Sequence, residues 1–279
     1  MRIVATQSSK GFPASLIKTA VEVASYTELL RTMVVRDLKV RYRNSVLGFG
    51  WSLLSPLLMM VVFTIVFKVL TKTNIPNYPL FLLTGLLPWN FTHSALSSGL
   101  RSVTGNSNLI KKVYFPRELL PISAVAGAFI HFVLAFGLLL LALVAFRVQL
   151  HATILLVPAI MLLQLVLVAG LAMIGAAANV YFRDLEQLID IALLAWFFLT
   201  PIFYALAIVP NDRILGLDIH RWLFSLNPMA TLVTDYRYLM LEGWMPIRHT
   251  AVTVVTAAGA FGFGWWLIRR FSRRFAEIV

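Results

Sequence analysis

The chain contains no cysteine, which excludes disulfides and thiolate-held metal sites. Charge is also scarce: Asp, Glu, Lys and Arg make up 13% of 279 residues, against 59% hydrophobic ones. Soluble domains carry about 25% charged residues, so this composition excludes an ordinary water-soluble fold. Motifs for nucleotide and hydrolytic chemistry are missing. No Gly-x-x-x-x-Gly-Lys-Ser/Thr loop is present to cradle ATP phosphates. There is no His-Glu-x-x-His metal pair and no Gly-x-Ser-x-Gly nucleophile turn. No carboxylate lies deep within an apolar run, which weighs against a proton relay, and no internal repeat of the transporter kind is visible. Residues 1–25 lack a continuous apolar core before a small-residue cleavage site, so they read as a flexible cytoplasmic arm rather than a signal peptide.

What the chain does have is apolar runs. A membrane-crossing helix needs about 20 such residues, and six runs qualify: Trp51–Leu70, Tyr78–Leu100, Ile122–Phe146, Ile154–Ala178, Leu188–Val209 and Thr250–Ile268. The expected fold is therefore an all-α integral membrane protein with six spans within 51–270. A basic cytoplasmic tail, 271–279, follows. The formal charge of +12 is not spread evenly. Most of the 24 Lys and Arg fall at the N-terminus, at the tail and between spans two and three, with few on the other side. That asymmetry is the positive-inside rule; it accounts for the basicity without nucleic acid and puts both termini in the cytoplasm.

Two polar stretches interrupt the apolar pattern. The first is Arg36–Pro56 with the residues just before it, where Leu30, Val34, Leu38 and Tyr42 climb one side of a helix at about 100° per residue, while Arg36, Lys39 and Arg43 gather on another. Asp37 and Arg41 stand at i,i+4, placed for an ion pair. Such a helix, over 26–46, lies flat at a membrane surface, and anchoring alone would explain it. Gly48, Gly50 and Trp51 then turn the chain into the bilayer. The second stretch is Asn106–Pro121, too polar to span. There Leu109, Ile110, Val113 and Tyr114 make a narrow apolar ridge on a short helix that Pro116 should end. By itself it reads as an ordinary basic loop.

The words of these stretches, R-D-L-K-V-R-Y-R-N-S-V-L-G-F-G-W-S-L-L-S-P-L and N-L-I-K-K-V-Y-F-P-R-E-L-L-P, resemble the membrane subunits of type 2 ABC exporters. The match is closest to the branch that exports O-antigen, teichoic acid and related lipid-linked polysaccharides. The resemblance implies a bacterial inner-membrane permease, a homodimer paired with two nucleotide-binding ATPase subunits. ATP and Mg²⁺ would be bound by those partners and no cofactor by this chain. It also implies an ATPase-coupling role for Arg36, Asp37, Lys39 and Arg41 of the first stretch. The same role falls to Asn108, Leu109, Ile110, Tyr114, Phe115 and Pro116 of the second, and to the Arg183-Asp184 pair between spans four and five.

Aromatic rings stack on the apolar faces of sugars, so Phe63, Trp89, Trp196, Phe197, Phe198 and Tyr204 are the expected channel-lining candidates; an interface belt is the alternative, strongest for Tyr204. Within 210–249, Trp222–Leu226 and Met229–Leu241 are too short to span and are divided by Asn227-Pro228. They fit a re-entrant helix pair, which the resemblance makes an outer gate, with Asp235 and Arg237 either holding it shut or forming a surface pair. His93 and His131 are the only bases available to the competing reading, a membrane-embedded sugar or acyl transferase. Within transport, the cargo could equally be teichoic acid, capsule or a drug.

Overall fold

A computed structural model describes residues 26–42, 47–48, 50–70, 75–113, 115–205, 213–214, 217–218, 224 and 226–278. The helices, in order, are α1 (Thr27–Tyr42), α2 (Gly50–Thr64, running on as a wider turn over Ile65–Leu70), α3 (Tyr78–Leu100) and α4 (Ser107–Lys112). Then come α5 (Leu119–Ala145), α6 (Val157–Tyr181), α7 (Leu185–Leu199), α8 (Pro228–Arg237) and α9 (Ile247–Ile278). The only non-helical pairing among the described residues is a two-residue antiparallel ladder, Arg213–Ile214 with Leu217–Asp218. The architecture is all-helical in substance.

Among the described residues, three helical segments are long and apolar enough to cross a membrane: Leu119–Ala145, Ala152–Tyr181 and Ile247–Ser272. Together with the broad exposed apolar faces of α2, α5, α6 and α9, they make this an integral membrane protein. Helix α3 coincides with the second expected run, Tyr78–Leu100, although Thr, Asn, His and Ser dilute its hydropathy. Two boundaries differ from expectation. The fifth run was expected to continue to Val209, but α7 stops at Leu199, because Pro201 drives Thr200 into extended backbone (φ −97°, ψ 133°). Residues 206–209 lie outside the described residues. The expected separate tail is instead the last turns of α9, since no Gly or Pro follows Gly264 to end the helix.

Close helix crossings hold the bundle together. At the α6–α9 crossing, a Cβ on Gly264 would stand 2.4 Å from the Gly170 carbonyl oxygen, so only glycine permits that approach. Gly99 of α3 meets Ala172 of α6 in the same way, with a would-be Cβ contact of 2.7 Å. Two apolar clusters result. A large one fills the space among α3, α5, α6, α7 and α8. A smaller one, containing Met33, Val103, Ile110, Phe115, Leu119 and Trp265, joins α1 and α4 to the start of α5 and the far half of α9.

Candidate functional site

The smaller cluster gathers one end of the molecule. Helix α1 packs against α5 through Met33 and Val34, both buried, with Leu29, Leu30 and Leu38 half-buried beside them. Its Arg31, Arg36 and Lys39 are exposed, as the amphipathic pattern requires. Arg36 pairs with its neighbour Asp37 at 2.9 Å and also donates to Asn106 Oδ1 at 3.0 Å, which latches α1 to the loop before α4. The side chain of Arg41, the partner expected for Asp37, lies outside the described residues.

The loop expected to carry a docking ridge is built differently. Helix α4 ends at Lys112, not at Pro116, and Val113 is already extended (φ −129°, ψ 136°). A proline disfavours helical backbone before it, and Phe115 is anchored in the interior, so the chain leaves the helix early. Ile110 and Phe115, each 3% exposed, face the smaller cluster and do not present a surface to a partner. The surface here is made by Asn108, Lys111, Lys112 and Val113, with Leu109 and Pro116 half-buried. Tyr114 lies outside the described residues. Arg117 donates to the Ile110 carbonyl and its guanidinium sits 5.7 Å from the Phe115 ring centroid, fixing the exit from α4.

Three polar links that the sequence did not flag tie this end to the long helices. Asn179 of α6 donates to the Leu100 carbonyl, to Thr104 Oγ1 and to Glu186. Arg101 pairs with Glu186 at 3.2 Å and Asp190 at 3.9 Å. Glu118, buried at the start of α5, pairs with Arg269 of α9 at 2.9 Å. Arg183 and Asp184 are exposed just before α7, whose first turn carries Glu186.

At the other end, α7 breaks off and α8 begins, and the two are stapled. Asn227 caps α8 by accepting from Ala230 N–H, while its amide donates to the Leu199 carbonyl and Thr200 Oγ1. Pro228 takes the first helical position, where a missing N–H does no harm. Arg237, 5% exposed, donates to the carbonyls of Pro201, Ile202 and Phe81 and stacks on the Phe81 ring, 3.6 Å from its centroid. Its guanidinium thus supplies donors to carbonyls left open where the helix breaks. Asp235, fully buried, accepts from Thr250 Oγ1 of α9 at 2.8 Å. The two charges neither pair with each other nor form a surface pair. Two residues apart on a helix they point to different sides.

The aromatic candidates form one cluster around that break. Trp89 is buried and meets Trp196 edge-on at 5.9 Å, so it belongs to the core and lines no channel within this subunit. Trp196 is half-buried and donates its indole N–H to Asn227 Oδ1 at 2.8 Å, which makes it part of the staple. Phe63 and Phe203 stack, and Phe197 packs against both, leaving Phe63, Phe197 and Tyr204 only partly open. Phe198 alone of the six is largely exposed, on an apolar face of α7 with Ile191 and Leu194.

Below the break, Gln164 of α6 donates to the Pro88 carbonyl and Thr92 Oγ1 and accepts from Tyr236. The proline-bent middle of α3 is thereby tied to both α6 and α8. No sequence pattern pointed to Gln164 as a three-way tie.

The family model described as ABC-2 type transporter matches residues 28–241. The chain is 36% identical over 231 residues to the O-antigen export system permease protein RfbA of Myxococcus xanthus, covering 83% of this chain and 87% of that one. It is 31% identical over 253 residues to the protein of the same name from Klebsiella pneumoniae, covering 90% and 95%. The polysialic acid transport protein KpsM of Escherichia coli is 20% identical over 234 residues.

Proposed function

Because the chain belongs to the ABC-2 type transporter family, we propose that it is the membrane subunit of an ATP-driven exporter of a lipid-linked polysaccharide of the O-antigen kind. It is a transport subunit of a multi-pass membrane protein, not an enzyme, which sets the transferase reading aside. The observation that carries the cargo is the near full-length similarity to O-antigen export permeases. In this reading the working unit is a homodimer in the inner membrane, with two ATPase chains beneath it and both termini in the cytoplasm. Six crossings are made by α2, α3, α5, α6, α7 with residues 200–205 after it, and α9. Helix α8, ten residues long, is too short to cross and dips into the outer leaflet.

The mechanism follows from which parts are joined. ATPase closure pushes on α1 and on the exposed residues of α4. Both lean on the cluster of Met33, Ile110 and Phe115, and that cluster is continuous with Leu119 and Leu120 at the start of α5. A displacement is therefore handed to a long helix instead of being lost in a loop. Glu118 and Arg269 carry it across to α9. The subunits part along α2 and α7, whose outward faces include Phe198. No binding of ATP is asked of this chain.

The test is reconstitution of the chain with its ATPase in vesicles loaded on one side with polyprenyl-diphosphate-linked glycan. ATP-dependent appearance of glycan on the other face is expected. Transport of a drug but not of glycan under the same conditions would overturn the cargo assignment.

A further inference from the structure

Two cavities lie along one seam, between α3 and α5. The first, about 620 Å³, sits where α1 passes the seam, and His93, Ser94, Ser97, Ser98, Arg101 and His131 are among its lining residues. The second, about 230 Å³, lies toward the opposite end of α5, bounded by Leu57 of α2, Leu83 and Leu87 of α3, and Ala135 and Leu139 of α5. All of its lining residues are apolar. His131 and Ala135 are one turn apart on α5, about 6 Å along the axis. The order of chemistry, polar and then apolar, is that of an amphiphile with its head at the α1 end.

The lining also discriminates between heads. Anionic phospholipids are held by clusters of Lys and Arg. Among the described lining residues the one guanidinium, that of Arg101, is already engaged by Glu186 and Asp190, and Asp37 adds an acid. The other polar lining groups are four serine hydroxyls, the Asn106 amide and two imidazoles; Ser98 and Ser102 donate to backbone carbonyls and keep acceptor capacity, and such groups hydrogen-bond to phosphate oxygens and sugar hydroxyls. Ser97 Oγ is buried and has no hydrogen-bond partner, so a polar group in the cavity wall is left for a ligand. The volume lies in the range of small-molecule sites, about 300–1,000 Å³, with room for more than one phosphate.

We propose that this seam is the reception site for the carrier end of the cargo. The diphosphate and first sugar sit among His93, Ser97, Ser98 and His131, and the isoprenoid chain lies along Leu87 and Leu139. The inference rests on the cargo reading above and adds where this chain first holds that cargo.

The test uses the complex of the chain with its ATPase in nanodiscs. The probe is undecaprenyl diphosphate bearing one N-acetylhexosamine. Gly127 lines the polar cavity, and a Cβ there meets nothing within 4 Å, so Gly127→Leu fills the space without disturbing the fold. Both Gly127→Leu and the double variant His93→Ala/Ser97→Ala should bind the probe at least about tenfold more weakly. Their complexes should elute and melt like the parent. Unchanged binding in both well-folded variants overturns the site. Displacement of the probe by phosphatidylglycerol alone, at equal mole fraction, also overturns it, as that marks a bulk-lipid groove. A parent complex that neither binds nor moves the probe sinks the cargo reading itself, and that failure is visible before any variant is made.

Discussion

The two ends of the molecule handle charge in opposite ways. At the α1–α4 end, Arg36 and Asp37 are 44% and 38% exposed and Arg101 pairs with Glu186 in similar exposure. At the α7–α8 end, Asp235 and Arg237 are buried and meet only uncharged groups: Arg237 donates to backbone carbonyls, and one Asp235 oxygen accepts from Thr250 while the other has no partner. Exposed ion pairs contribute about 0–1 kcal/mol and are screened by salt, so they exchange partners readily. A buried guanidinium bound to three carbonyls does not. The first end offers exchangeable charges at its surface, as the proposed docking of an ATPase requires, and the second is tied together internally.

That contrast can be broken most forcefully at Arg237. Replacing it with alanine leaves the Pro201 and Ile202 carbonyls without donors, each about 1–3 kcal/mol, so Arg237→Ala should lower stability by several kcal/mol and reduce the amount of folded protein in the membrane. Thermal unfolding in detergent reads this. Arg237→Lys should recover only part of the loss, because one ammonium cannot serve the same spread of acceptors.

Asn227→Ala comes next, at about 1–2 kcal/mol, as the cap of α8 and the bond to the Leu199 carbonyl go together. Trp196→Phe, which removes one bond to Asn227, should lose about 1 kcal/mol; a larger loss would mean the indole does more than close the staple.

Glu118→Gln sharpens the comparison from the other side, since it is the buried carboxylate of the α1–α4 end. Its partner Arg269 is partly exposed, so the expected loss is only about 1 kcal/mol, checked by chemical denaturation.

The smallest effect on stability belongs to Arg36→Ala, within about 0.5 kcal/mol. It should nonetheless lower glycan export per ATP hydrolysed, measured in reconstituted vesicles, because it unlatches α1 from Asn106. Unimpaired export in a fully folded Arg36→Ala complex would remove the latch from the mechanism.

Much of the helical framework was legible because apolar runs of the right length have few alternatives. The bounds of α3 followed from Pro79 at its start and the polar Arg101 after its end. The stop of α7 was equally written in Thr200-Pro201, but hydropathy alone ran past it. Val113 could not be placed by its ridge, since what decides its backbone is the burial of Phe115 and the proline that follows. The aromatic residues expected to line a channel meet around the α7 break. Sequence does not say which face of a ring is already covered, and so Trp89 and Trp196 were expected in a lumen and stand in the core and the staple. The Asp235–Arg237 pairing fails on helical geometry that the sequence already contained.

The most direct measurement is gentle purification of the tagged chain from its native membrane, with every co-purifying protein identified and its stoichiometry taken. An equimolar partner carrying a Gly-x-x-x-x-Gly-Lys-Ser/Thr loop is expected, with two copies of each chain in the particle. A chain that comes out alone and still moves or modifies a lipid-linked sugar without ATP would contradict it.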